Sequence, residues 1–512
     1  MSQENENAAL YFIDRHATGP VADKACYIEA DGAKRTLTYA ELSSESGKMA
    51  EFFEANDIRR EDRVALLVLD QIEFPIIFWG SLKCGVVPVA LNTLLGTDVY
   101  DTILHDSRAK ALFVSQALLP VVEPVLASNP HLKKVFVIGD TPGKYDSFDV
   151  AFETCSPREP IHVIGDEPAF WLYSSGSTGQ PKGVRHVHSS LQFTADTYGA
   201  RVLGIEQDDV VYSAAKFFFA YGLGNAMTFP LSVGATTIIL SGRPTPDSVA
   251  DILNTHKPNI FCGVPTLYAA MNAFYESGKG EIETTLRRCI SAGEALPSEV
   301  GNAWENRTNC KILDGVGSTE MLHIFLSNAP DDVEYGTSGT AVPGYEVRLV
   351  NENNEEVGPG EIGELLVNGN SAASDYWNQR EKSRNTFEGI WTRTGDKYER
   401  REDGRYIYCG RTDDMFKVSG IWVSPFEVEQ SISSHGDVLE AAVVPARDAN
   451  DLEKPKAFVI LKEGVTSQGL ETALKDHVQK QIGKWKYPRC IEFVDDLPKT
   501  ATGKIQRFKL RD

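Results

Sequence analysis

The feature that most constrains this chain is a rhythm running through its N-terminal half: short apolar, often β-branched runs alternate with longer amphipathic or polar stretches. Val64–Leu69 (VALLVL), Val86–Leu91, Ala111–Ser115 and Val135–Ile138 read as buried strands, and Glu73–Cys84, between the first two, suits a crossover helix. The rhythm returns at Phe170–Tyr173, Ala235–Leu240, Asn259–Val264 and Cys289–Ala292. Runs of this length separated by helix-sized segments predict layered α/β structure with largely parallel sheets.

After about Gly336 the pattern changes. Tyr345–Val350, Glu361–Val367 and Tyr406–Cys409 are short strands between turn-rich segments (NENNEE, VGPG, REDG), as in an antiparallel β subdomain. Beyond Arg411 comes a stretch with its own strands at Ala441–Pro445 and Lys456–Leu461, a helix at Leu470–Ile482 and a last strand at Ile491–Val494, the make-up of a small α+β domain. A chain of 512 residues also exceeds what one core usually serves. The expected organisation is a large N-terminal domain over 1–411, with 336–411 as its β subdomain, a hinge at 412–414, and a small C-terminal domain over 415–512.

Charge narrows the partners. With 51 Lys+Arg against 72 Asp+Glu the net charge is −21, which repels nucleic acid and anionic membranes alike. No run of about 18 apolar residues suggests a spanning helix. The N-terminus, MSQENENAAL, lacks a signal-peptide pattern, so the chain reads as cytoplasmic. Its eight cysteines include no CxxC pair and read as free, mostly buried thiols. Cations are concentrated at the C-terminal end, where Lys480–Asp512 holds nine basic and four acidic residues. Such a cluster is either a solvated basic face or a feature that meets small anions. Oligomeric state is open, a homodimer among the options.

Tyr173–Val184 (YSSGSTGQPKGV) follows a strand-like run and gathers Ser, Thr and Gly with Lys182, so that N–H groups, hydroxyls and an ammonium can converge on phosphate oxygens. It is not a Walker A loop, because Gly-Lys-Ser/Thr is missing at the required spacing. Gly358, Gly360 and Gly363 satisfy GxGxxG, yet they join two strand-like segments with no helix to receive a pyrophosphate, and read as a hairpin turn. His186 and His188 lack the spacing and partners of a metal site.

Five further segments follow in order: Ser291–Pro297 (SAGEALP), Asp314–Glu320 (DGVGSTE), Thr394–Asp396 (TGD), Gly410–Glu429 (GRTDDMFKVSGIWVSPFEVE) and Leu497–Arg507 (LPKTATGKIQR). With the phosphate loop ahead of them, this series resembles the acyl-adenylate-forming superfamily of acyl-CoA synthetases, adenylation domains and luciferases, over nearly the whole chain. The resemblance implies ATP, Mg²⁺ and coenzyme A as reactants and cofactors. Ser174, Ser177, Thr178 and Lys182 would hold the β- and γ-phosphates; Thr319 would bond the α-phosphate and Glu320 would ligate Mg²⁺. Gly293, Glu294 and Ala295 would line the adenine, with Asp314 and Gly315 also at the nucleotide, while Asp396 and Arg411 would take the ribose. Lys504 would bridge the substrate carboxylate and the α-phosphate. Asp413 matches the family's hinge, about which the C-terminal domain would rotate to withdraw Lys504 and present Lys417 and Gly420 to the pantetheine arm.

Lys216–Asn225 (KFFFAYGLGN) and Met321–Asn328 (MLHIFLSN) resemble the benzoate:CoA ligase branch. Ala220, Tyr221, His323 and Ile324 would wall a flat slot for a ring that carries its carboxylate directly. Of Phe217–Phe219 at most one or two could face it. The expected activity is ligation of a small aromatic carboxylate, benzoate or a substituted benzoate such as 4-hydroxybenzoate, to CoA. Alternatives are an adenylating enzyme for another acid or for a carrier-protein thiol, and a non-catalytic nucleotide-binding protein.

Overall fold

The computed structural model describes residues 4–141, 143–175, 180–283, 285–418, 421–447, 453–483, 486–499 and 505–511. The chain forms two compact units, Met1–Val347 with Val367–Thr392, and Arg348–Leu366 with Arg393–Asp512.

Two sheets organise the first unit. In one, the parallel strands Val87–Ala90, Arg63–Leu67, Ala111–Ser115 and Lys134–Ile138 are the apolar runs of the sequence rhythm. Pro168–Ser175 joins this sheet parallel to Val87–Ala90 and then pairs antiparallel with Pro181–Val187. The second sheet runs in the order Thr340–Ala341, Ile324–Ser327, Ile312–Gly317, Arg288–Ser291, Ile260–Gly263, Val210–Ser213, Thr236–Ile239, Ala25–Glu29, Thr36–Thr38. It is parallel from Ile312–Gly317 to Ala25–Glu29 and closes with antiparallel pairings at both edges. Helix Glu73–Lys83 is buried on every face, which explains why its sequence is apolar all round rather than striped.

Downstream, a five-stranded sheet contains Glu346–Val350, Ile362–Asn368, Trp391–Arg400, Phe387–Glu388 and Tyr406–Arg411. Trp391–Arg400 pairs antiparallel with both Phe387–Glu388 and Tyr406–Arg411. The Gly358–Gly363 segment is a turn into a strand, with Gly360 at φ +79°. Residues from Phe416 onward build a hairpin, Phe416–Val418 with Ile421–Val423, and a sheet of Val438–Arg447, Glu453–Leu461 and Cys490–Phe493. Helices Pro425–Ser433 and Leu470–Ile482 contribute Val428, Ile432, Leu474 and Val478 to the same core as Val443 and Val459 of this sheet. The fold is thus layered α/β in a large N-terminal part, followed by a small α+β C-terminal part. Among the described residues no helix is long and apolar enough to cross a membrane.

The cysteines are all free; five are buried and Cys490 is exposed. Part of the C-terminal basic cluster is committed to structure: Lys486 pairs with Glu427, Lys499 with Glu440, and Arg507 with Glu429.

Candidate active site

The antiparallel pair Pro168–Ser175 and Pro181–Val187 sets Ser174 opposite Lys182 at the base of the Ser/Gly loop. Ser177 and Thr178, at the loop's centre, lie outside the described residues. The Ser174 hydroxyl is buried and has no hydrogen-bond partner among the described residues. Lys182 Nζ lies 3.3 Å from Glu320 Oε1 and 3.2 Å from the Tyr376 hydroxyl, which itself donates to Glu320 Oε1 at 2.7 Å. The ammonium also sits 4.3 Å from the centre of the Tyr376 ring. Burial would raise the Glu320 pKa, but the Lys182 charge and the Tyr376 hydroxyl outweigh it, and the carboxyl is held below its usual range. An ionised carboxylate beside a phosphate-type loop fits magnesium, which commonly takes one or two protein carboxylates and completes its shell with phosphates and water.

Glu320 and Thr319 follow strand Ile312–Gly317. The Thr319 carbonyl accepts from His186 Nε2 at 2.8 Å and from the Leu322 amide at 3.2 Å. His186 is fully buried and stacked on Phe170 at 5.1 Å; burial lowers its pKa to about 4, so it is a neutral donor that pins the Thr319 backbone. Leu322 turns through φ +65°, a conformation L residues rarely adopt, two residues after Glu320.

Gly293–Ala295 follows strand Arg288–Ser291, whose Ser291 is in register with Asp314 on the neighbouring parallel strand. The carboxyl ends of parallel strands are where open α/β sheets bind nucleotides. Gly293 and Glu294 are exposed and Ala295 is half-buried. Asp314 accepts the Leu296 amide at 3.3 Å, while its Oδ1 has no partner among the described residues. Burial pushes this carboxyl up to about 8, against the Leu296 and Gly315 amides that favour its charged form. A protonated carboxyl with an open oxygen can donate and accept, as the edge of an adenine requires.

Within the second unit Asp396 and Arg411 are cross-strand partners, joined at 3.0 Å between Asp396 Oδ1 and Arg411 Nη1. Gly395 permits this: a Cβ there would lie 2.9 Å from Arg411 Nη2, and its φ is +73°. Asp413 is exposed, and its carbonyl accepts from Arg511 at 3.2 Å. Lys417 lies on a strand of the hairpin, but its side chain, like Gly420 and Lys504, is outside the described residues.

The two acyl-slot segments meet in the first unit. Tyr221 and His323 have ring centroids 5.7 Å apart, and Phe229 and Tyr198 approach His323 at 4.5 and 5.2 Å. Ala220 is half-buried beside Tyr221, and Ile324 is buried beside His323. The Tyr221 hydroxyl is held by the carbonyls of Gly263 and Ile290, at 3.0 and 3.1 Å, so its ring acts as a wall. Phe217 stacks on Phe74 at 4.9 Å and belongs to the core. Tyr376, His186, Tyr198 and Phe229 were not foreseen from the sequence; Tyr376 meets Lys182 and Glu320, His186 meets Thr319, and Tyr198 and Phe229 meet His323 across long stretches of chain.

A lysine and an ionised carboxylate beside a Ser/Gly loop, with an uncharged aspartate at the strand ends, define an α/β enzyme that handles a nucleotide. The chain belongs to the AMP-binding enzyme family: its model matches residues 13–377, and that of the AMP-binding enzyme C-terminal domain matches 427–504. It is 50% identical over 517 residues to a 4-hydroxybenzoate–CoA/benzoate–CoA ligase of Rhodopseudomonas palustris, spanning 100% of this chain and 95% of that protein. It is 51% identical to a benzoate–CoA ligase of Thauera aromatica, over 99% and 96% of the two chains. Among solved structures, a benzoate CoA ligase from Burkholderia xenovorans LB400 superposes with a TM-score of 0.90 at 46% identity, covering both chains completely.

Proposed function

We propose that the protein is an AMP-forming aromatic carboxylate:CoA ligase of the benzoate type. The observation that carries this is an aromatic slot closed by His323 and Tyr221, in a chain half identical over its full length to ligases of benzoate-type acids. In the first half-reaction a carboxylate oxygen attacks the α-phosphorus of ATP; the new P–O bond forms as the bond to pyrophosphate breaks. In the second, the CoA sulfur attacks the acyl carbon, the C–O bond to AMP breaks, and the thiol proton passes to solvent. A consumer of ATP and CoA also belongs in the cytoplasm.

The residue roles are part of the proposal. Lys182 exchanges its contact with Glu320 for phosphate oxygens, aided by Ser174, Ser177 and Thr178, while Thr319 bonds the α-phosphate. Glu320 would hold magnesium, which supplies charge neutralisation across the phosphates. Gly293, Glu294, Ala295, Asp314 and Gly315 take the adenine side; Asp396 and Arg411 take the ribose. Lys504 supplies the positive charge between carboxylate and α-phosphate, and a hinge at 412–414, centred on Asp413, replaces it by the Lys417–Gly420 face for thioester formation. Ala220, Tyr221, His323 and Ile324 wall the ring.

Pyrophosphate release with ATP and Mg²⁺, across aryl, cyclic and short aliphatic acids with and without CoA, tests the reading. Benzoate-like acids are expected to turn over, passing a single equivalent only when CoA is present. Release with aliphatic acids alone, or with no acid, would contradict it.

A further inference from the structure

Beside the aromatic slot lie buried polar side chains that the ring of benzoate alone does not use. Two π-helical segments, Ala195–Leu203 and Gly224–Thr228, pack at His323, and π turns are found disproportionately at functional sites. The second brings its backbone directly against the imidazole: a Cβ on Gly224 would stand 2.4 Å from His323 Cδ2, so only glycine permits the approach. The next residue, Asn225, is fully buried, and among the described residues neither its amide atoms nor the ring nitrogens of His323 close a hydrogen bond. The amide lies near the Tyr221 hydroxyl, whose proton goes to the carbonyl of Gly263 or Ile290, and the His323 ring lies near the Tyr221 backbone carbonyl.

Buried polar atoms without partners are rare in native interiors, and those of Asn225 and His323, both beside Tyr221, are open to a ligand group. Burial lowers the His323 pKa to about 3, so the imidazole is neutral and offers one donor and one acceptor; the primary amide offers both as well. The matching ligand group both donates and accepts: a phenolic hydroxyl or an arylamine, not a methyl or a halogen.

We propose that Asn225, together with His323, is a specificity-determining residue that receives a hydrogen-bonding ring substituent, so that hydroxy- and aminobenzoates are favoured over methyl- and halobenzoates of the same shape. This deepens the aryl-acid reading and rests on it.

The test compares kcat/KM for 3- and 4-hydroxybenzoate with the matching methylbenzoates, and for aminobenzoates with chlorobenzoates, in wild type, Asn225→Leu and Asn225→Ala. Wild type should favour at least one polar acid over its apolar match by about tenfold or more, and the ratio should fall by about tenfold in the variants, through KM of the polar acid. A wild-type ratio near one at every position would overturn the proposal, whether or not the variants fold. So would an unchanged ratio in a variant that still turns over benzoate. Failure of wild type with every aryl acid, benzoate included, would overturn the underlying reading instead.

Discussion

The Tyr376 hydroxyl donates to Glu320 and meets Lys182, so it both orients the carboxylate and helps keep it ionised. On the proposed roles, a nucleotide would draw Lys182 away and leave Tyr376 to position Glu320. Tyr376→Phe is therefore expected to raise the Mg²⁺ concentration for half-maximal pyrophosphate release by about tenfold, the worth of one hydrogen bond to a charged group, with the rate recovering at high Mg²⁺. A midpoint equal to that of wild type would contradict this positioning role. The contrast with Glu320 shows what a sequence can disclose. Glu320 stands in a contiguous run, DGVGSTE, whose place in an ordered series of motifs carries the family resemblance that implies its role. Tyr376 lies 194 positions from Lys182 and 56 from Glu320, in a segment that belongs to none of the motifs, and strand pairing brings it there. Asn225 was hidden for a different reason: within KFFFAYGLGN its amide looks like a helix-end residue, and its burial without partners is a tertiary fact.

Among elements, apolar runs were readable because a strand buried on both faces must be apolar whatever its neighbours. Ala111–Ser115 and Leu470–Ile482 coincide with their expected bounds. Trp391–Arg400 (WTRTGDKYER) was legible only as the TGD motif: it is charge-rich, and it is a strand because partners pair on both sides of it. The π-helical segments keep an apolar pattern compatible with an ordinary helix, so nothing local announces them. Element-level stability rests at one point on a buried ion pair. Glu429 on helix Pro425–Ser433 accepts both guanidinium arms of Arg507, at 2.8 and 2.6 Å, and the Val443 amide at 2.7 Å. Arg507→Ala strands a buried carboxylate and should cost about 3–5 kcal/mol in chemical denaturation. Replacing both partners by methionine should restore most of the loss, and a loss below about 1 kcal/mol for the single change would refute the argument.

For the whole molecule, buried titrating groups pull in opposite directions with pH. His186, His188 and His323 are pushed down by burial to about 4, 4 and 3, so they stay neutral when folded and take up protons on unfolding below about pH 6.5. Asp314 and Asp70 are pushed up by burial to about 8 and about 6, so they hold protons when folded and release them on unfolding. Near pH 5 the three histidines outweigh the two aspartates by one proton, and stability rises with pH by about 1.4 kcal/mol per unit. Above about pH 6.5 the histidines no longer contribute, Asp314 remains, and stability falls toward pH 8. Thermal melts should peak between about pH 6 and 7, and Asp314→Asn should flatten the alkaline side; a steady rise through pH 8 in wild type would contradict the burial assignments.

The central claim is that the acid is activated by bonding its own oxygen to the α-phosphorus of ATP. Turnover of benzoate labelled with ¹⁸O in its carboxylate, in the presence of ATP, Mg²⁺ and CoA, tests it most directly by mass spectrometry of the nucleotide product. The account predicts AMP carrying one ¹⁸O, because the P–O bond made in the first half-reaction survives when the acyl C–O bond is broken in the second. Unlabelled AMP, or ADP in its place, would contradict it.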